Sequence, residues 1–217
     1  MVMPSNQSNP WVHYWAGHRP GSVGHLYSPG GQRGPYPWLP FALDNGAFSG
    51  FDAGRWLALM RWACLSGHRP LWVAVPDCVG DAKRTTAMWE GYAPKAAAFG
   101  WPLAFVVQDG HLDSDVPGSA AVVFVGGSIE WKRKKINYWC ERFPRVHVGR
   151  INTYEWGRYC YDAGAESIDG TGMNRGDKKQ TAGIMKLLRE MHGAGASYQR
   201  GMDIDRLNSF AAQMYRV

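Results

Sequence analysis

Apolar residues recur along this chain in two rhythms, and the change from one to the other predicts its elements. Short apolar runs of strand length occupy residues 11–16, 41–43, 71–75, 103–107, 121–125, 146–148 and 166–168. Continuous runs of this kind, bounded by Gly, Pro or Asp, suit strands of a parallel sheet covered on both faces. Between them the spacing becomes helical. In residues 54–66, Trp56, Leu57, Met60, Ala63 and Cys64 fall on one side of a helix, and Gly67 supplies the stop. Residues 81–99 form a second helical stretch, which Pro94 is expected to kink or divide. Residues 132–143 read as a basic helix, and Thr153 suits the N-cap of a helix ending near Gly164. Two more helices follow at 178–192 and 204–215, the latter with Ile204, Leu207, Phe210, Ala211 and Met214 on one face.

Two stretches fall outside this pattern. The first ten residues are polar and read as frayed, and residues 17–40 form a Gly/Pro/Ser-rich loop too long for a simple connector. That loop carries His18, Arg19, His25, Gln32 and Arg33, which could contact phosphate; a surface loop without a ligand is the alternative. Seven strands alternating with helices or helix-sized connections predict a parallel α/β fold with right-handed crossovers. A small (β/α)8 barrel of the TIM type fits best, with the eighth strand unplaced. No repeat or linker divides the 217 residues, which read as one domain.

Composition narrows the class. A net charge of +6 favours a polyanionic partner such as nucleic acid, and 11 Trp offer more rings than packing usually needs. Cys64, Cys78, Cys140 and Cys160 are far apart and lack zinc-ligand spacing, so they read as free thiols and no metal is expected. No run of signal-peptide type and no segment of membrane-spanning length is evident, which points to a soluble intracellular protein.

The chemistry gathers where strands stop. Asp44, Asn45 and Gly46 follow one strand; Asp77, Gln108, Gly126 with Gly127, Gly149 and Asp169 follow the others. Each alone could be turn chemistry. Together, at one face of a parallel barrel, they describe a pocket with carboxylates, an amide and exposed backbone N–H groups. Such a pocket suits a purine. Asp77 could accept from the N1–H and exocyclic amine of guanine, Gln108 and the Gly127 N–H could address O6 and N7, and Phe48 or Trp131 could stack on the base. Asp44 and Asp169 then match glycosyl transfer, in which one carboxylate attacks the anomeric carbon and the other moves a proton.

The segment Leu43-Asp44-Asn45-Gly46-Ala47-Phe48 resembles the Asp-Ser-Gly-Gly-Phe segment of tRNA-guanine transglycosylases. Val107-Gln108-Asp109-Gly110 is similar to that family's Val-Gln-Gly-Gly, and Val125-Gly126-Gly127-Ser128 to its Gly-Gly-Leu turn. Val148-Gly149 and the stretch from Gly164 to Asp169 resemble its Gly-Val-Gly and Phe-Asp-Cys segments, in the same order. The compact form is closest to the short phage-type 7-deazaguanine DNA transglycosylases, the DpdA family. The resemblance implies exchange of guanine in DNA for a 7-deazaguanine such as preQ0 or preQ1, by a phage-encoded protein in the host cytoplasm. It implies that Asp169 is the nucleophile, that Asp44 transfers a proton, and that Asp77, Gln108, Gly126, Gly127 and Gly149 hold the base. The zinc motif of the tRNA enzymes is missing, so neither a zinc subdomain nor any cofactor is implied. Arg150 and Asn152 match no family position, though Arg150 could pair with a phosphate or orient a carboxylate.

Lys132, Arg133, Lys134 and Lys135, with Arg142 and Arg145, form the densest basic segment, and Arg175, Lys178 and Lys179 could extend it. Beside a base pocket such a run could hold DNA phosphates across the mouth; a solvated helix face is the alternative. The target guanine would have to be single-stranded or flipped. Two other functions stay open at this point: a nucleosidase in which water resolves the intermediate, and a noncatalytic nucleic-acid-binding barrel. Monomer and homodimer stay open as well.

Overall fold

The computed structural model describes residues 1–5, 10–31, 34–172 and 178–191. Eight parallel strands form its centre: β1 Val2–Pro4, β2 His25–Tyr27, β3 Phe41–Leu43, β4 Val73–Ala74, β5 Leu103–Val107, β6 Val122–Val125, β7 Val146–Val148 and β8 Ser167–Gly170. Their order, β1-β8-β7-β6-β5-β4-β3-β2, follows the chain around a ring. Isolated parallel bridges, Val2 with Val23 and Ser5 with Leu26, join β1 to β2 and bring the ring nearly to closure. This is a small (β/α)8 barrel. Its described helices are α1 Pro10–His18, α2 Ala53–Leu65, α3 Ala82–Ala97, α4 Ile129–Arg142, α5 Tyr154–Asp162 and α6 Lys178–Met191. Among the described residues the β2–β3 and β5–β6 connections carry no α-helix. No described helix is long and apolar enough to cross a membrane.

The ends of the helices follow from their sequence. Asp52, Asp81, Ser128 and Thr153 each accept a backbone N–H from the first turn, at Arg55, Arg84, Trp131 and Trp156, satisfying donors that a helix leaves open. Pro94 does not divide α3: it lies one turn from the C-terminal end and removes a single hydrogen bond there.

The first forty residues correct the expected pattern. Residues 11–16 are not a strand but the body of α1. Pro10 occupies its first position, where a missing N–H costs nothing, and Trp11, Val12, Trp15 and Ala16 are buried at helical spacing. The strands missing from the pattern are β1 and β2, three residues each, one in the stretch expected to fray and one inside the expected loop. His25 is therefore no phosphate ligand. It is buried in β2 against Tyr27 and Tyr36, and burial pushes its pKa down to about 4. His18 stacks on Tyr14. Gln32, Arg33, Arg175 and the expected helix 204–215 lie outside the described residues.

Two apolar layers result from strand alternation. One face packs on the helices, where Trp56, Leu59, Met60, Ile136, Trp139, Ile184 and Leu187 are buried. The opposite face fills the barrel with Met3, Leu26, Ala42, Trp72, Ala74, Ala104, Val106, Val122 and Phe124. Each fully buried large side chain contributes roughly 1.5–3 kcal/mol. The same inward phase includes His147, Ser167 and Asp169, all buried.

Candidate active site

Continuing the inward phase two residues past the barrel filling places the polar groups. Asp44 follows Ala42, Gln108 follows Val106, Gly126 follows Phe124, and Gly149 follows His147. With Asp169, these residues line one inner cleft of about 90 Å³ at the carboxyl ends of the strands, joined there by Asn45, Phe48, Asp77, Gly127 and Arg150. It opens into a wider groove of about 530 Å³ that shares Asp44, Asn45, Phe48, Arg150 and Asp169 and adds Ser5, Ser28, Arg55 and Thr171. The structure thus brings Asp44, Asp77 and Asp169 together.

Asp77 sits in a network that sequence reasoning captured only in part. Asn45 Nδ2 donates to Asp77 Oδ1 and Gln108 Nε2 to Asp77 Oδ2, both at 2.7 Å. Asn45 is fixed in turn, donating to the Val75 carbonyl and accepting from the Ala47 N–H. Gln108 Oε1 accepts the N–H groups of Gly80 and Gly127 at 2.9 and 3.0 Å. The Gly127 N–H is thereby taken up by Gln108 Oε1, whereas Gln108 Nε2, which lines the cleft, has a second hydrogen beyond the one given to Asp77. Burial pushes Asp77 up to about 6, against the pull of the Asn45 hydrogen bond.

Asp44 and Asp169 are held differently. Ser28 Oγ donates to Asp44 Oδ2 at 2.9 Å. Burial, and then the charge of Asp169, raise the Asp44 pKa above the usual carboxylate range, while Ser28 and the N–H groups of Asn45 and Gly46 act in the opposite direction. Asp169 Oδ2 lies 3.0 Å from His147 Nε2, and its Oδ1 accepts the Arg150 N–H at 3.3 Å. Arg150 has a left-handed backbone, φ 61°, a conformation costing about 1–3 kcal/mol outside glycine. Its guanidinium donates to the Gly127 carbonyl and lies 5.0 Å from the Phe48 ring centre. Asn152 closes the neighbouring turn, accepting the Gly172 N–H at 2.8 Å.

Two glycines of the cleft are required by packing. A Cβ at Gly126 would stand 2.7 Å from Gln108 Nε2, and one at Gly149 would stand 2.5 Å from Phe124 and 3.2 Å from Asp169 Oδ2. Gly149→Ala is therefore expected to lower stability by about 1–3 kcal/mol, the usual effect of overpacking, read as a fall in the thermal midpoint. An unchanged midpoint would show that Phe124 yields freely. Phe48, 71% exposed, stands at the mouth. Trp131 does not line the cleft; it packs behind Gly127 and against Trp139.

The basic segment divides. Lys132 is buried, 2% exposed, and its Nζ donates to the Gly149 carbonyl beneath the cleft; burial and the charge of Arg150 lower its pKa to about 8. It is not positioned to meet phosphate. Arg142 pairs with Asp113, and Arg145 pairs with Glu166 through two hydrogen bonds at the amino ends of β7 and β8, the opposite rim from Asp169. Arg133 and Lys134 are exposed and Lys135 is half-buried, in the first turns of α4 near the mouth. Arg133 lies over Trp156 and Lys135 over Tyr138.

No family model matches this chain, and no curated protein does. Among solved structures, 3-hexulose-6-phosphate synthase from Salmonella typhimurium aligns with a TM-score of 0.52 at 11% identity, over 88% of this chain and 99% of that one. A native KDPGal structure aligns at 0.52 and 13%, over 87% and 93%. The BexX/CysO complex of Amycolatopsis orientalis gives 0.52 and 13%, over 92% and 93%. At such identities the likeness concerns the (β/α)8 barrel alone.

Proposed function

We propose that this barrel is an enzyme that exchanges guanine in DNA for a 7-deazaguanine base through a covalent aspartyl-glycosyl intermediate. The observation that carries the reading is the convergence of Asp44, Asp77 and Asp169, from three different strand ends, on one cleft. Their environments differ, which is how separate roles are assigned to like groups. Asp169 attacks C1′ of the nucleotide as the C1′–N9 bond breaks and its electron pair leaves on guanine. Asp44, whose pKa is raised, donates the proton that neutralises the leaving base. The 7-deazaguanine then enters, gives its N9 proton to Asp44, and attacks C1′; the ester bond to Asp169 breaks. Two inversions give net retention.

Asp77, already oriented by Asn45 and Gln108, accepts from the N1–H and amine edge of the base. Phe48 and Arg150 lie at the mouth beside the sugar and phosphate. Arg133, Lys134 and Lys135 approach flanking phosphates, while Lys132 only supports Gly149.

Incubation with guanine-containing single-stranded DNA and labelled preQ0 tests the reading. Label entering the DNA with release of guanine is the expected result; guanine release with abasic DNA would replace exchange by hydrolysis, and binding without release would remove catalysis. The Asp77 carboxylate, raised to about 6, must be ionised to accept from the base. Below that pH it gains a proton, so kcat/KM for the incoming base is expected to fall about tenfold per pH unit, with little change between pH 7 and 8. A flat profile down to pH 4.5 would remove Asp77 from base recognition.

A further inference from the structure

Directly beneath Asp169 the barrel holds a group that the exchange scheme does not use. His147 occupies the centre of β7, is 0% exposed, and lies with its ring centre 4.7 Å from that of Trp72 and 4.5 Å from that of Phe124. The β7–β8 register sets His147 opposite Ser167. The imidazole therefore bridges two residues of β8 that share a face: Nδ1 is 2.8 Å from Ser167 Oγ and Nε2 is 3.0 Å from Asp169 Oδ2. Packing alone would favour an aliphatic side chain here, because a buried imidazole is costly unless both nitrogens are paired. Both are.

We propose that His147 is a positioning residue that selects which oxygen of Asp169 attacks. This rests on the reading of Asp169 as nucleophile. As a nucleophile the Asp169 carboxylate only accepts hydrogen bonds, so imidazole Nε2 carries a proton toward Oδ2, and in the singly protonated ring Nδ1 accepts from the Ser167 hydroxyl. The carboxylate plane is then fixed from below through Oδ2. Oδ1, hydrogen-bonded among the described residues by the Arg150 N–H at the longer distance of 3.3 Å, is the oxygen that faces C1′. In the glycosyl ester Oδ2 becomes the carbonyl oxygen and keeps its donor, and when the ester breaks the same donor meets the returning charge. Ser167, His147 and Asp169 repeat the residue types of a hydrolytic triad. Ser167, however, is 4% exposed and does not line the cleft, so it is not a nucleophile; its hydroxyl sets the tautomer.

Two variants separate positioning from packing. His147→Gln can place its amide nitrogen near the former Nε2, whereas His147→Asn reaches Ser167 but not Asp169. His147→Asn is expected to slow covalent-intermediate formation in a single turnover by about 10- to 100-fold, the usual effect of losing an orienting partner. KM for the DNA should stay within about twofold, since substrate affinity is made elsewhere, and His147→Gln should recover most of the rate. Equal rates in the two variants, or a change confined to KM, would overturn the assignment. Imidazole nitrogen NMR on the unmodified protein decides independently of either variant's folding: a proton on Nε2 is expected, and a ring protonated at Nδ1 alone would overturn it. If the unmodified protein forms no covalent complex, the exchange reading falls, while the NMR result still decides whether His147 orients Asp169.

Discussion

Asp169→Asn is expected to abolish base exchange and covalent trapping together, by on the order of 10⁴-fold or more, as removal of an essential nucleophile does. An amide is isosteric with the carboxylate, and its oxygen can still accept from His147 Nε2. What it lacks is the negative charge that forms a bond to C1′. Binding of DNA should change little, because phosphate contacts supply much of that affinity. A denaturing gel for the covalent complex and fluorescence anisotropy for binding check the two halves. A trapped adduct in this variant would move the nucleophile to another residue.

Asp44→Asn is expected to slow exchange by about 10²- to 10⁴-fold, the range for loss of a general acid. Asparagine can keep the Ser28 hydrogen bond but cannot pass a proton to the leaving base. The deficit should therefore shrink with a nucleotide whose base departs readily without protonation. Measuring both substrates makes the test specific: an equal deficit for the two would show that Asp44 shapes the cleft and does not move a proton.

How far the chain was legible depended on each signal and on the residues around it. Six strands and five helices were visible because runs such as 103–107 and 121–125 are long enough to show their period. β1 and β2 are no shorter than β3 and β7, but β1 lies among residues that are polar on average and β2 inside a Gly/Pro/Ser-rich stretch. Residues 11–16 are rich in aromatics and suggested a strand, but burial at Trp11, Val12, Trp15 and Ala16 follows a helical spacing that the residue types masked. The carboxylates of the cleft were readable because each ends a recognisable strand. His147 was not, since a single histidine between two valines looks like packing until the inward phase of β7 is known. Lys132 misled for the opposite reason: its charge belongs to an evident run, while its position, four before Ile136 and seven before Trp139, belongs to the buried face of α4.

The filling of the barrel has a kinetic consequence. Trp72, Phe124, Val106 and their neighbours close the interior below the carboxylates, so among the described residues the cleft opens on the side of Phe48 and Arg150. Under the proposed exchange the departing and arriving bases must use that opening in turn. The reaction should then follow ping-pong order, with free guanine competing against the incoming base for the glycosylated enzyme and returning the DNA to its starting state.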